Sequence, residues 1–307
     1  MRFKGLDLNL LVALDAMLEE RNISRAADRL FLTQSAMSNA LGRLRDHFDD
    51  KLLIQSGRNL ELTPRAEILR VAVKDVLMRI DATITTPPEF IPAESDRVFR
   101  LYVSEYTTDI LMPRLMDLVW KESHSIGFEL LPQVNDPERV LSSGEADLLI
   151  YPSAFIHEAN PDEHLYDDNY VCVVWEGNDE VGDELSLEQY LNMPHVVVKR
   201  PEQQRSMFEE WFLSNFGVTR NVQVITYSLT APCQLLKGTN RIATVHERIA
   251  KACIQYLPLR ILPPPVEIPP IQQIMQWHKY RESDPGLQWL RSKLREAAKS
   301  LTPPPPL

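Results

Sequence analysis

Glycine is scarce in this chain, with 10 in 307 residues. Phosphate-cradling loops therefore have little to be built from. No P-loop, no G-x-G-x-x-G fingerprint and no G-x-S-x-G nucleophile elbow occurs. Cysteine is scarcer: Cys172, Cys233 and Cys253, none close to another in sequence. That excludes a disulfide framework and a Cys/His metal cluster, and it fits a reducing compartment. Cys172, inside "YVCVVW", reads as a small buried hydrophobe; a thiol switch between two of the three is the alternative. "HERIA" has no second histidine four residues after His246, so the zinc-protease helix is missing too. No apolar run approaches a membrane span. The N-terminal "MRFKGLDLNLLVALDAML" interleaves Asp7, Asn9 and Asp15, and no small-residue cleavage site follows, so it reads as no signal peptide. A cytoplasmic protein that does not engage membrane is expected, with no catalytic residues, no metal and no cofactor. An excess of basic charge is also lacking: 33 Lys+Arg face 43 Asp+Glu, net −10, which is not the balance of a generic nucleic-acid binder.

What is present is unevenly spread. Residues 1–65 hold 10 basic and 9 acidic side chains, and the remainder is at −11. Between Arg21 and Arg45, five arginines (21, 25, 29, 43 and 45) oppose only Asp28. "LFLTQSAMSNALGRLRDHF" lies in this stretch. Thr33 can cap a helix with its hydroxyl. Ala36, Met37, Ala40, Leu41 and Leu44 then recur at helical spacing as one apolar face. Gln34, Ser35, Ser38, Asn39, Arg43 and Arg45 fall largely outside it. Amides can pair with adenine edges in a major groove, and hydroxyls and arginines suit phosphates. The preceding "NISRAADRL" reads as a short helix capped by Asn22 or Ser24, with Ala26 and Ala27 small enough for a close crossing. Helix, tight turn and polar-faced helix form a helix-turn-helix pattern. The same pattern also fits a capped amphipathic helix on an enzyme.

"KLLIQSGRNLELTP" reads as a hairpin with Gly57 in its turn and Arg58 near the tip, placed to enter a minor groove as a wing. A long helix is predicted from Pro64 to about Thr85, with a stripe of Leu69, Val73, Val76, Ile80 and Ile84 widened by Ile68, Ala72 and Leu77. Such a stripe wants a partner, and a second copy is the simplest one. "TTPPEFIPAESD" breaks the helix as a hinge. Beyond Arg97, strand-like runs ("FRLYVSEY", "FELLPQV", "ADLLIYP", "YVCVVW", "HVVVKR", "VQVITYS", "RIATV", "QQIMQWHKY") alternate with helical ones over 109–122, 137–143, 203–216 and 228–238. A closing helix follows in "DPGLQWLRSKLREAAKS". The body is therefore read as α/β with open parallel sheets, in two subdomains about a cleft. Candidate ligand contacts are Ser104, Tyr106, Thr107, Thr108, Tyr151, Tyr227, Ser228 and His246. Tyrosines pack on flat rings and hydroxyls pair with ring oxygens. The acidic body disfavours a polyanionic effector. Arg200 and Arg241 lie at strand ends, with nothing to aim either into the cleft.

"LDLNLLVALDAMLEERNISRAADRLFLTQSAMSNALGRLRDHFDDKLLIQSGRNLELTP" resembles the N-terminal winged helix-turn-helix of LysR-type transcriptional regulators, and the similarity continues through the whole chain. Within that family "FELLP", "EEWFL", "IATV", "LPLRI" and "QW…SDP…W" look like the nodulation protein D (NodD-like) subgroup, activators that respond to plant flavonoids. Regulators of aromatic catabolism, which respond to salicylate-like or chlorinated aromatics, are the near alternative. The resemblance implies a winged helix-turn-helix over 1–63 and a linker helix and hinge over 64–95. It implies a type 2 periplasmic-binding-protein-like effector domain over 96–307, with subdomain I at about 96–164 and 268–307 and subdomain II at about 165–267. It implies DNA contacts from Thr33, Gln34, Ser35, Ser38, Asn39, Arg43 and the wing Arg58. It also implies a small aromatic inducer, and a homodimer or homotetramer on an interrupted promoter dyad beside RNA polymerase. Ser35 departs from the family's usual proline, and Gln55 stands where many members carry a wing arginine. A solute-binding body or a small enzyme is the rival class. The missing leader argues against the first and the missing catalytic constellation against the second.

Overall fold

The computed structural model describes residues 6–56, 59–80, 82, 84, 89–156, 159–199 and 207–301. Two compact units emerge: residues 1–90 with 138–147 and 277–288, and residues 91–137 with 148–276 and 289–307. In the first unit, α1 (Asn9–Glu20), α2 (Ile23–Arg29) and α3 (Gln34–Phe48) precede a hairpin of β1 (Leu53–Ser56) and β2 (Asn59–Leu62), and α4 (Pro64–Ile80) follows. The caps decide where these helices begin. The Asn22 side chain accepts from the Arg25 N–H, and the Thr33 hydroxyl accepts from the Ala36 N–H at 3.2 Å. Ala26 and Ala27 are fully buried, as a close crossing of helices requires. Leu14, Met17, Met37, Leu41 and Leu44 complete one core with them. Ala36, expected on the apolar face, is exposed instead. Asp50 ties the wing to the next helix, accepting from the Leu52 N–H at 2.7 Å and from the Thr63 hydroxyl at 2.6 Å; Thr63 in turn caps α4.

The apolar stripe on α4 is not one face. Val73 is 4% exposed and packs, with Leu69 and Leu77, into the core that α1 also lines. Lys74 pairs with Asp15 of α1 at 3.4 Å. The outward apolar groups are Ile68 (73% exposed), Val71 (64%) and Val76 (42%). The α-helix is described as far as Ile80, with Ala82 and Ile84 beyond it in π-helical conformation; residues 81, 83 and 85–88, and with them the expected end near Thr85, lie outside the described set.

The second unit holds two five-stranded sheets. The first runs in the order β4 (Gly127–Pro132), β3 (Val98–Val103), β5 (Leu148–Pro152), β12 (Ile271–Gln276), β6 (Asp162–Asp168). The second runs β11 (Leu259–Leu262), β7 (Tyr170–Trp175), β10 (Ile242–His246), β8 (His195–Val198), β9 (Val222–Thr226). Both are mixed rather than parallel: β3, β4 and β5 run parallel, while β12 is antiparallel to β5 and β6, and β7 is antiparallel to β10 and β11. The antiparallel pairings lie where the chain leaves one sheet for the other, between Asp168 and Tyr170 and again between β11 and β12. All eight expected strands form. Two were not expected, β6 ("DEHLYDD") and β11 ("LRIL"), and both are edge strands. β6 carries acidic residues at four of its seven positions and β11 spans only four residues, so neither stands out as an apolar run.

The helices of this unit are α5 (Glu105–Ile110), α6 (Met112–Trp120), α8 (Leu187–Asn192), α9 (Met207–Phe216), α10 (Ala231–Gln234) and α11 (Glu247–Cys253), with α7 (Pro137–Ser142) and α12 (Pro285–Lys299) spanning unit boundaries in the chain. α10 is far shorter than the expected 228–238. Ser186 and Gln189 form a reciprocal capping box that starts α8. Cys172, Cys233 and Cys253 are all buried free thiols, and Cys253 Sγ lies 3.4 Å from the Tyr256 hydroxyl.

Candidate functional site

On the head, the outer surface of α3 presents Gln34, Ser35, Ser38 and Asn39, all exposed. Thr33, also exposed, spends its hydroxyl on the cap and on a 3.0 Å contact with the Ser35 hydroxyl. Gln34 and Ser38 are one turn apart, as are Ser35 and Asn39, so amides and hydroxyls form two adjacent rows. The arginines behave differently from the sequence expectation. Arg21 pairs with Glu67, Arg25 with Glu20, Arg29 with Asp15 and Glu20, and Arg43 with Asp7 at 2.9 Å. The counted window omitted these acids because they stand outside it in sequence. Arg43 holds the Asp7 carboxyl below its ordinary value through that hydrogen bond. Exposed pairs of this kind contribute little to stability, so a phosphate can displace the acid. Arg45 is a structural clamp: its Nε donates to the Lys51 carbonyl at 2.7 Å and its Nη2 to the Leu53 carbonyl at 2.9 Å. The wing residues Gly57 and Arg58 lie outside the described residues.

In the second unit, the ends of both sheets line a recess of about 920 Å³, open solvent at its mouth included. Of the expected ligand contacts, Ser104, Tyr106 and His246 are on its wall. Ser104 caps α5, accepting from the Thr107 N–H at 3.0 Å. Tyr106 donates to Asp168 at 2.6 Å, and burial lifts the Asp168 carboxyl above its ordinary value. The other five are off the wall. Thr107 is buried and bonded to the Ser104 hydroxyl, and Thr108 donates to the Ser104 carbonyl. Tyr151 is buried, and its hydroxyl accepts from the Val134 N–H at 2.7 Å. Tyr227 is 78% exposed. Ser228 belongs to a clasp in which the Glu105 carboxylate accepts from the Ser228 hydroxyl (2.9 Å), the Leu229 N–H (2.6 Å) and the Thr230 hydroxyl (3.1 Å). Because Ser104 and Leu229 both line the recess, this clasp joins its two rims.

The other wall residues escaped the sequence reading, among them Tyr170, Phe208, Arg220 and Gln273. Arg220, 6% exposed, is the only arginine or lysine among the described wall residues, and it is fully engaged. It pairs with Glu209 and donates to the Tyr190 hydroxyl (2.6 Å), the Thr244 hydroxyl (2.9 Å) and His195 Nδ1 (3.2 Å). Its guanidinium also lies over the Phe208 ring at 4.6 Å. His195 donates from Nε2 to the Tyr190 carbonyl at 2.5 Å, which fixes its neutral tautomer. Burial, with Arg220 beside it, pushes its pKa down to about 3. Arg241, by contrast, is held by Gln223. Neutral polar groups, aromatic rings and a cancelled cation equip this recess to hold an uncharged flat molecule. Among the described residues, no group of His, Cys, Asp and Glu could hold a metal, and no helix is long and apolar enough to cross a membrane.

Residues 8–67 match the bacterial regulatory helix-turn-helix protein model of the lysR family, and residues 92–299 match the LysR substrate binding domain. Nodulation protein D 1 of Rhizobium tropici is 40% identical over 304 residues, 99% of each chain. Nodulation protein D 1 of Rhizobium meliloti is 40% identical over 99% of this chain and 98% of its own. Among solved structures, a probable transcriptional regulator of Pseudomonas aeruginosa is 28% identical, covers 95% of this chain and 97% of its own, and superposes with a TM-score of 0.65. The regulatory domain of MexT, a transcriptional activator of the same organism, is 26% identical over 67% of this chain and all of its own, with a TM-score of 0.58. The chain belongs to the LysR family of transcriptional regulators and, within it, is similar from end to end to the nodulation D proteins.

Proposed function

We propose that this chain is a transcriptional activator of nodulation-type genes that is switched by a flavonoid or related phenolic inducer. The single observation that carries the inducer class is the recess in the second unit, with its aromatic walls and the Arg220 charge already cancelled by Glu209. A salicylate-like acid, the alternative, would bring a carboxylate to a wall with no uncommitted cation among its described residues, and burying an unpaired charge is costly. The head over 1–63 reads promoter DNA through Gln34, Ser35, Ser38, Asn39 and Arg43, with the wing Arg58 alongside. The linker over 64–95 joins a second copy through the outward face of α4. The effector domain over 96–307 takes the inducer between subdomain I (96–164 and 268–307) and subdomain II (165–267). Inducer binding shifts these subdomains, and in a dimer of dimers that alters the angle between heads and the bend in the DNA. The protein works in the cytoplasm beside RNA polymerase and catalyses no reaction.

Calorimetry of the full-length protein against a flavone, salicylate and a chlorophenol tests the inducer class. Heat from the flavone with none from salicylate is expected. Tight salicylate binding with no flavone signal would transfer the protein to the aromatic-catabolism group.

A further inference from the structure

Two side chains on the wall of the recess carry buried polar atoms with no hydrogen-bond partner among the described residues: His246 at Nδ1 and Gln273 at Oε1. The residues are 7% and 2% exposed. Orphaned buried polar atoms are rare in folded proteins, and both of these residues line the same recess. Local structure explains how each comes to the wall. Gln273 sits in β12, between β5 and β6, at the step where the register against β6 shifts. Such irregularities re-aim a side chain. His246 ends β10 and occupies the first cap position of α11 without making a side-chain cap bond. Its ring packs between Tyr106 (4.7 Å between centroids) and Tyr170 (4.8 Å), which sets the direction of its nitrogens.

The chemistry of the pair is uncharged. Burial pushes the His246 pKa down to about 4, so near neutrality the imidazole carries one N–H donor and one nitrogen acceptor. The Gln273 amide adds a carbonyl acceptor and an NH₂ donor. A hydroxyl satisfies such a pair, because it donates one hydrogen and accepts through its lone pairs. A carboxylate has no hydrogen to donate. An ether oxygen has none either, and its methyl group adds bulk. We propose that His246 and Gln273 together read a free, protonated hydroxyl on a flat inducer, so that the cavity selects hydroxylated aromatics over their O-methyl ethers. This rests on the inducer reading above and deepens it by naming the group that is recognised.

The test is calorimetry of the full-length protein with apigenin and with its fully O-methylated ether, in the parent chain, Gln273→Met and His246→Phe. Methionine keeps the volume without the amide, and phenylalanine keeps the ring between the tyrosines. The parent is expected to favour apigenin by about 10- to 100-fold, the loss that follows when a buried polar atom is left unpaired. In both variants the preference is expected to shrink to within about threefold, chiefly through weaker apigenin binding. Equal binding of apigenin and its ether by the parent would overturn the proposal, whatever the variants do. Full discrimination retained in both folded variants would overturn the assignment to this pair. If the parent binds no flavone at all, the inducer class fails first and takes the hydroxyl reading with it.

Discussion

Charging α4 at two positions separates folding from assembly. Val73 is 4% exposed, inside the head's own core. Val73→Asp places a carboxylate there with no partner and also removes a buried valine. Losing the valine's burial costs about 1.5–3 kcal/mol, and an unpaired buried polar group adds about 1–3 kcal/mol. That total rivals a large part of a small domain's stability, about 5–15 kcal/mol. Ile68, at 73% exposed, gives the single chain little to lose. If a second copy covers it, burying the exposed part is worth about 1–2 kcal/mol per copy, and twofold symmetry counts it twice. Ile68→Asp should therefore leave the melting temperature of the head nearly unchanged while sedimentation shows smaller species and cooperative operator binding weakens. Val73→Asp should lower the melting temperature at any protein concentration. An Ile68→Asp protein that sediments like its parent would refute the assignment of α4's outer face to the subunit contact.

The remaining expectations concern the head and the buried histidines. Gln34→Ala should cost roughly 1–3 kcal/mol at the preferred operator and relax the preference at one base pair, read by binding to a panel of single-base variants. Arg43→Ala should weaken specific and nonspecific DNA together and flatten the salt dependence, whereas Arg45→Ala should lower thermal stability through the clamp on Lys51 and Leu53, with DNA affinity following only as the head unfolds. His195 and His246 refuse protons in the folded chain down to about pH 3 and about pH 4 respectively, while the unfolded chain takes them up near the ordinary value of 6.5. Stability should consequently be intact above about pH 6.5 and fall as pH drops toward 4, by at most about 1.4 kcal/mol per pH unit for each histidine. Urea midpoints that stay flat from pH 7 to pH 5 would contradict this.

Local signals carried most of the fold. Thr33 caps the helix that the sequence assigned to it, and of the two candidates Asn22 and Ser24 it is Asn22 that caps the preceding one; such caps are legible because a cap is a contact three residues long. The eight apolar strands were legible for the same reason. β6 and β11 were not, since the first is mostly charged and the second only four residues long. The linker stripe was misdivided because helical spacing finds apolar residues without saying which lie against α1 and which face outward. The cavity was the least legible part. Tyr151 and Tyr227 are chemically suited to a ring, yet one is buried in a sheet and the other points to solvent. Arg220 and Gln273 gave no sequence signal, since their importance comes from partners remote in the chain or from partners missing. The head's arginines read as a basic patch because Glu20, Asp15, Asp7 and Glu67, which neutralise them in the fold, lie outside the Arg21–Arg45 stretch of sequence.

The most direct measurement is a footprint of the full-length protein, with and without apigenin, on an operator selected by that protein from random-sequence DNA. The expected pattern is two protected half-sites about one or more helical turns apart, with hypersensitive cleavage between them that changes when apigenin is added. An unchanged pattern, at apigenin concentrations that calorimetry shows to saturate the protein, would contradict the claim that the cavity controls how the heads hold DNA.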